Sequence, residues 1–169
     1  MKSAKLKISF IVMVTLAFFA VSNLFAQEKR VKEKDIPSTV TKAFHSEYPA
    51  AKIIGTSTEV EKGVTYFEIE SMDGKVRRDL LYTKTGKVEE IEEVLTAATI
   101  PDFVKKSIEK KFKDVEYKKG EKNMRNSVTK YELIIEASEL KYEVVCDAHG
   151  KITKTKKIKN EESEVNDND

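Results

Sequence analysis

The second half of this chain repeats the first at an offset of 64 residues, and this duplication constrains the fold more than any other feature. The two halves align without a gap from residue 36 to residue 94, with apolar positions and turn glycines kept in register. We therefore predict two copies of one unit, over residues 36–99 and 100–159. The clearest matches are Ile36-Pro37 with Ile100-Pro101, Val40 with Val104, Val64-Thr65 with Val128-Thr129, Glu68 with Glu132, and Gly86-Lys87 with Gly150-Lys151.

Each copy begins with the pattern of an amphipathic helix and continues with the pattern of strands. A proline at the start suits the first helical position, and apolar residues then recur at i, i+4 and i+8, as in Val40, Phe44 and Tyr48. Alternation with period two follows, broken by turn signals such as Asp73-Gly74. The fold class is predicted as α+β: two tandem repeats, each one helix followed by about four antiparallel strands, with the helices packed on one face of the sheet.

The two ends of the chain lie outside these repeats. Residues 1–26 combine three lysines, a short apolar run and a small residue, Ala26, at the exit, which is the pattern of a cleaved secretory signal peptide. An uncleaved membrane anchor is the alternative, but the apolar run is shorter than the roughly 20 residues of a spanning helix. We expect a periplasmic or secreted protein without a membrane segment after cleavage, a leader over residues 27–35, and a disordered acidic tail over residues 160–169.

The near-neutral total charge hides a division of charge along the chain. Lys and Arg number 31 against 29 Asp and Glu, and removal of the signal leaves 28 against 29. This balance excludes nucleic-acid binding driven by bulk charge. Residues 36–99 nevertheless carry a net −3 and residues 100–159 a net +6. The last strands differ most, acidic at 89–93 and basic at 154–159. One interpretation is that the acidic and basic halves orient a partner. We favour a structural role: the two last strands attract each other, within one molecule or between copies, or their charges discourage edge-to-edge aggregation.

The tandem units, each opening on Ile-Pro and closing on a turn with Gly-Lys, resemble the PepSY-like family, also described as β-lactamase-inhibitor-like (BLIP-like). The resemblance covers residues 36–158 and rests on the proline before the helix, the aromatic near the helix end and the turn glycine. It implies a small secreted protein of a Gram-negative envelope that binds a protein partner across its sheet, in the way of an inhibitor. No inhibitory loop is carried over residue by residue.

Catalytic chemistry has weak support in this sequence. Cys146 and His149 form the one nucleophile-and-base pairing to consider. Cys146 aligns with Tyr82 on the apolar side of its strand, where a cysteine acts as a small hydrophobe, and His149 falls in the next turn. Without a third orienting group we predict no catalytic residue and no enzyme activity. A single cysteine also forms no internal disulfide.

Metal and cofactor sites are not predicted either. The His-x-x-x-His, Cys-x-x-Cys, calcium-loop and phosphate-binding glycine patterns are missing from the sequence. Loose attraction of calcium to the acidic tail is less favoured than simple solvation of its side chains. The tail carboxylates concerned are Glu161, Glu162, Glu164, Asp167 and Asp169.

The remaining candidate is the sheet face left uncovered by the helices. Alternation places charged and aromatic residues there, and a polar face with both charge signs suits a partner interface. It is equally the solvated side that any half-buried antiparallel sheet presents. The residues predicted for this face are Tyr66, Glu68, Glu70, Arg77, Asp79, Lys130, Glu132, Lys141 and Glu143, with Leu81 and Val145 between them.

Three functional hypotheses follow from these observations. The leading one is a non-enzymatic envelope protein that contacts or inhibits a protein partner, such as a hydrolase or a sensor domain, through the uncovered face. The second is a small-ligand binding or sensing module, which needs an enclosed apolar cavity between the two units or between helix and sheet. The third is a hydrolase that uses Cys146, which needs an exposed thiol.

Overall fold

The computed structural model describes residues 28–158 and shows two helices packed against one antiparallel sheet, which confirms the α+β class. The predicted signal peptide, 1–26, and the predicted tail, 160–169, lie outside the described residues. The elements are β1 (Lys29–Arg30), α1 (Ser38–Glu47), β2 (Lys52–Glu61), β3 (Val64–Asp73), β4 (Val76–Tyr82), β5 (Val88–Leu95), α2 (Asp102–Lys111), β6 (Val115–Arg125), β7 (Val128–Ala137), β8 (Leu140–Asp147) and β9 (Ile152–Ile158).

The nine described strands form a single sheet whose spatial order follows the chain, from β1 to β9. Each strand pairs antiparallel with the next, including β5 with β6, where Ile91 lies opposite Met124. Because β5 precedes α2 and β6 follows it, the two halves of the chain share one continuous sheet. Neither described helix has the length and apolar character needed to cross a membrane.

The backbone irregularities of the sheet recur at the 64-residue offset. The β2–β3 register shifts between Ile53 and Gly55, and the β6–β7 register shifts between Tyr117 and Lys119. A second pair of shifts lies at residues 81/82 in β4 and 145/146 in β8. Such irregularities add local twist to a sheet, so the two halves twist at equivalent places.

Both helices pack on the same face of the sheet. Helix α1 buries Val40 and Phe44, and helix α2 buries the residues 64 positions later, Val104 and Ile108. Strand β5 links the two apolar clusters, because Ile91 packs in the first and Leu95, on the same side of the strand, lies in the second. The buried sheet residues beneath the helices are Ile69, Leu80 and Tyr82 in the first half and Tyr131, Leu133, Ile135, Val144 and Cys146 in the second.

The prolines precede the helices instead of opening them. Pro37 and Pro101 have extended backbones, with ψ of 137° and 141°, and the helices start one residue later. Their carbonyl oxygens accept the first helical hydrogen bonds, from Val40 at 2.9 Å and from Val104 at 3.0 Å. The predicted helix starts are therefore wrong by one residue, while the predicted apolar stripes point into the core.

The leader contains secondary structure that its sequence does not predict. Strand β1 pairs with β2 through Lys29 opposite Thr58 and Arg30 opposite Ser57. A 3₁₀ turn over Glu33–Asp35 then leads into α1, and Val31 packs against the first apolar cluster. A two-residue strand has no readable periodicity, so only its partner strand reveals it.

The expected attraction between the acidic strand at 89–93 and the basic strand at 154–159 within one molecule is wrong. Strand β5 lies in the middle of the sheet between β4 and β6, whereas β9 ends the described sheet beside β8. Glu93 of β5 instead pairs with Arg78 at 2.8 Å, and Lys154 of β9 pairs with Glu143 at 2.9 Å. The lysines of β9 do lie on an edge strand, where charge opposes edge-to-edge association.

Replacing Gly86 by alanine tests how closely the last turn of the first half approaches α1. Gly86 has φ of +85°, and a Cβ there would lie 2.6 Å from the carbonyl oxygen of Thr39. We expect a loss of about 2–4 kcal/mol in the free energy of unfolding, since the left-handed backbone and the overpacking each cost about 1–2 kcal/mol. Urea denaturation measures this loss.

Gly63 provides the matched control for that substitution. It has φ of +79°, and apart from Gly63 and its two chain neighbours no heavy atom of the described structure lies within 4 Å of a Cβ built on it. Gly63→Ala should therefore lower the free energy of unfolding only by the cost of a left-handed backbone at alanine, about 1–2 kcal/mol. Equal losses for both variants would contradict close packing of the turn on the helix.

Candidate functional site

The candidate site is the sheet face opposite the helices, which we call the open face. In β3, Phe67 and Ile69 pack in the first apolar cluster, so the alternating residues project to the other side. The cross-strand register carries this assignment through the sheet. All nine predicted face residues lie on the open face: Tyr66, Glu68, Glu70, Arg77, Asp79, Lys130, Glu132, Lys141 and Glu143. Their role in binding remains a prediction.

The open face is concave. Arg125 in β6 forms ion pairs with Glu90 in β5, at 2.9 Å, and with Glu61 at the end of β2. In a flat sheet β2 and β6 would lie about 19 Å apart, four strand spacings, so this contact requires the sheet to curl toward the open face. The curl buries residues that no helix covers: Ser57, Glu70, Leu81, Glu90, Asn123, Glu143 and Val145.

An arginine network fixes the predicted residues at the β1 side of the open face. Arg77 Nη2 lies 3.1 Å from Glu70 Oε2 and 3.2 Å from Asp79 Oδ2. Arg30 of β1 pairs with the other oxygen of Glu70. Glu70 is buried with two cations around it, and Coulomb attraction there is stronger than at an exposed surface pair. The leader therefore helps to order the candidate site.

A buried amide organises the centre of the open face. Asn123 in β6 donates from Nδ2 to Glu90 and, at 3.0 Å, to Glu92 Oε1. Both acceptors belong to β5, so this contact joins the first half of the sheet to the second. Asn123 is buried, and an unsatisfied amide in that position would be costly. The hydrogen bonds therefore hold the two carboxylates in fixed positions.

Five carboxylates form a line across the open face, which we call the carboxylate row. Its members come from five successive strands, β3 to β7: Glu68, Asp79, Glu92, Glu121 and Glu132. Asp79 lies directly opposite Glu92, and Glu121 lies directly opposite Glu132. Like charges in directly opposed positions destabilise a sheet. The row is therefore a feature that folding alone does not favour.

Burial shifts the protonation of the whole row. It raises the pKa of Glu68 to about 7 and the pKa of Glu92 to about 8. Burial also raises the pKa of Asp79, Glu121 and Glu132, and neighbouring carboxylates add to each shift. The negative charge of the open face therefore changes with pH near neutrality.

Basic residues border the row at the β8–β9 side. Lys154 Nζ lies 2.9 Å from Glu143 Oε1, and the Glu143 side chain is 2% exposed. The other oxygen, Oε2, is buried without a hydrogen-bond partner among the described residues. Lys141 in β8 lies beside Glu143 on the same face. At this end of the open face, one oxygen of a desolvated carboxylate is therefore ion-paired, and the other lacks a hydrogen-bond donor among the described residues.

Several open-face residues were not identified from the sequence. The register shifts near the starts of β2 and β6 interrupt the alternation that assigns side chains to a face. The acidic run in β5 was interpreted only as a charge contrast with the last strand of the second half. Alternation through Ile91 would have placed two of its glutamates on the open face. The missed residues are Glu59, Glu61, Glu90, Glu92, Glu121, Asn123, Arg125 and Lys154.

Cys146 lies on the helix side of the sheet, away from the open face. It is fully buried and unpaired, and burial raises the pKa of its thiol to about 11. His149 is exposed in the next turn, where its backbone N–H donates to Asp147 at 2.9 Å. A protonated, buried thiol is a poor nucleophile, so the geometry gives the predicted hydrolase alternative no support.

Metal and small-ligand sites gain no support from the described residues. Over residues 28–158 no group of three or more His, Cys, Asp or Glu side chains is arranged to hold a metal ion. Two surface depressions are open to solvent, and the first is lined by Asp114, Glu116, Glu136, Ser138 and Glu139. Neither is the enclosed apolar cavity that the small-ligand hypothesis expects, and that hypothesis stays a prediction.

Comparison with protein families identifies the class of this protein. The family model described as "Putative beta-lactamase-inhibitor-like, PepSY-like" matches residues 22–90 and again residues 65–154. The chain belongs to this family, as the resemblance predicted. Two matches to one model are what a tandem duplication produces. They overlap between residues 65 and 90, so the repeat boundaries at 36–99 and 100–159 stay a prediction. No curated protein matches the chain.

Three solved structures from Bacteroides species share the fold. A protein of Bacteroides eggerthii titled a putative periplasmic protein matches with a TM-score of 0.56 and 15% identity, over 72% of this chain and 88% of that one. A BLIP-like protein of Bacteroides fragilis matches at 0.55 and 14%, over 74% and 88%. A DUF2874 family protein of Bacteroides uniformis matches at 0.56 and 12%, over 72% and 88%. These likenesses establish the architecture.

Proposed function

We propose that this protein is a non-enzymatic component of the cell envelope that binds a protein partner on its open face. The observation that carries the proposal is the concave face held by buried polar contacts, in which Asn123 and Arg125 tie β5 to β6 and to β2. A fixed, shaped surface loses little conformational entropy on binding, which favours recognition of another protein. Inhibition of a hydrolase or restraint of a sensor domain are forms that such binding can take.

Family membership and the N-terminal sequence support the envelope location. The family is described as β-lactamase-inhibitor-like, and the protein from Bacteroides eggerthii with the same fold is titled periplasmic. Residues 1–26 have the composition of a secretory signal. We propose that cleavage near Ala26 releases the protein into the periplasm or the medium.

Site-specific photocrosslinking in living cells tests the proposed binding face. A benzophenone side chain replaces Tyr66 on the open face in one variant and Phe103 on helix α2 in the matched variant. Phe103 is an exposed aromatic residue, 42% exposed, on the covered side of the sheet. We expect one discrete adduct from position 66, identified by mass spectrometry, and none of that mass from position 103.

Charge reversal supplies the second arm of this experiment. Glu132→Lys on the open face should abolish the adduct from position 66, because reversing a charge inside an interface brings like charges into contact at a cost of several kcal/mol. Glu47→Lys, at an exposed position of α1, should leave it intact. An adduct that forms equally from positions 66 and 103, or one that survives Glu132→Lys and disappears with Glu47→Lys, would place the interface elsewhere and overturn the proposal.

A further inference from the structure

We propose that the open face recognises a cationic segment of its protein partner, one rich in lysine or arginine, laid along the carboxylate row. This inference rests on the proposed function, because it takes the open face as the protein-binding surface. It adds the chemistry of the partner and the residues that recognise it: Glu68, Asp79, Glu92, Glu121 and Glu132.

The first argument is that the row costs folding energy. Asp79 opposes Glu92, and Glu121 opposes Glu132, at positions where an opposite charge would stabilise the sheet. Arg77 offsets the charge of Asp79 at 3.2 Å, and Arg125 pairs with Glu90 outside the row, so the cost of like charges falls mainly on Glu92, Glu121 and Glu132. A set of residues that breaks a local rule without a gain in the folded chain marks a functional site.

The second argument is that neutral neighbours orient two carboxylates of the row without offsetting the charge that they carry when ionised. Glu68 accepts a hydrogen bond from the hydroxyl of Ser57, and Glu92 accepts one from the amide of Asn123. Both donors are neutral, so these contacts orient the carboxylates without cancelling their charge. An approaching ammonium or guanidinium group would meet positioned acceptors in a partly desolvated site, where ionic hydrogen bonds are strong.

The third argument is the length of the row. Measured along the curled sheet, five successive strands cover about 19 Å, which is too long for a single ion. The same distance matches about 6 residues of an extended segment or about 13 residues of a helix. A polypeptide segment therefore fits the row better than a small cation does.

Glu143 independently indicates that the open face has an unsatisfied hydrogen-bond acceptor. Its side chain is 98% buried, yet Oε2 has no hydrogen-bond partner among the described residues. Glu143 lies one strand beyond Glu132 and close enough for its charge to act on that carboxyl. A buried carboxylate oxygen without a donor is costly. A basic side chain at the end of the row would supply that donor.

Calorimetric titration of the full mature chain with a synthetic oligolysine peptide tests this inference. At about pH 9 Glu68 and Glu92 are largely ionised, since burial raises their pKa values to about 7 and about 8. We expect saturable binding by the wild type that weakens at high salt. The double variant E92Q/E121Q should lose at least about tenfold in affinity. An oligoglutamate peptide should not bind.

A charge-matched variant separates the row from the general acidity of the protein. E33Q/E47Q removes two exposed carboxylates outside the open face and should change the affinity less than about twofold. Urea unfolding of both variants shows that each is folded. Equal losses in the two double variants, or no saturable binding by the folded wild type, would overturn the inference.

The crosslinking variants distinguish failure of this inference from failure of the proposed function. If E92Q/E121Q keeps the adduct from position 66, the open face binds its partner without the row, so the inference fails while the proposed function stands. If the row binds oligolysine and position 66 gives no adduct, the proposed function fails. Sedimentation velocity tests whether a second copy of this chain occupies the row. If the wild type dimerises and E92Q/E121Q does not, the row binds the basic half of another copy, and the inference of a separate protein partner is overturned.

Discussion

Replacing Phe44 by alanine is expected to lower the free energy of unfolding by about 3–5 kcal/mol. Phe44 is fully buried in the first apolar cluster, where α1 packs on Ile69, Leu80 and Tyr82. The substitution removes most of the aromatic side chain and leaves a cavity that the surrounding strands cannot fill without moving. Urea denaturation followed by circular dichroism measures the loss.

Phe103 offers the matched phenylalanine for this experiment. It lies in α2 and is 42% exposed, with its ring 5.7 Å from that of Tyr131 in an edge-to-face contact. Phe103→Ala should cost about 1 kcal/mol, the value of a surface aromatic pair. Similar losses for the two variants would contradict the packing of α1 on the sheet. Because β5 joins β6 in one sheet, we also expect a single unfolding transition in both variants.

The second large effect is a loss of stability as pH rises toward 8. Burial raises the pKa of Glu92 from 4.5 to about 8, and Glu121, Glu90 and Asp79 add to the shift while the Asn123 amide opposes it. The folded protein therefore holds a proton between these values that the unfolded chain releases. This contribution is fully present below about pH 4.5 and is lost as pH passes through about 8.

The size of that effect follows from the shift. One pKa unit corresponds to about 1.4 kcal/mol, and solvent screening at this partly exposed side chain reduces the full amount. We expect wild-type stability to fall on the order of 2 kcal/mol between pH 5 and pH 8.5 relative to E92Q, whose side chain does not titrate. Urea unfolding at both pH values measures the difference.

The exposed Glu33 gives the control for the pH experiment. E33Q should follow the wild-type profile, because its side chain lies outside the open face. Parallel pH profiles for wild type and E92Q would show that Glu92 titrates at an ordinary value.

The predicted stabilisation by E92Q at high pH also bears on function. The same substitution is expected to stabilise the fold and to weaken binding of a cationic segment, which is the usual conflict between stability and a recognition site.

Much of the local structure was predictable because each element carries its own pattern. The helical stripe of Val40 and Phe44 repeats in Val104 and Ile108, and all four side chains are fully buried. The alternation in β3 and β7 assigned Glu68 and Glu132 to the uncovered side. These predictions succeed because side-chain direction follows from backbone geometry within one element.

Other features depend on contacts between elements that local patterns do not encode. Strand β1 is recognisable only through β2, and the faces of β2 and β6 are displaced by register shifts at Ile53/Gly55 and Tyr117/Lys119. The charge contrast between the last strands suggested that they attract each other, yet β5 pairs with β6. Strand order is a property of the whole sheet, and charge along the sequence does not specify it.

The sequence alone determined that the chain is duplicated, that each copy has an apolar side for a helix and a polar side for solvent, and that Cys146 belongs to the core. Periodicity suffices for these conclusions because burial of one face selects the residues at fixed spacing. The tertiary structure decided that both copies share one sheet and that this sheet curls. It thereby brought Glu61 to Arg125 and aligned five carboxylates from five strands, because pairing register and twist position side chains that lie far apart along the chain.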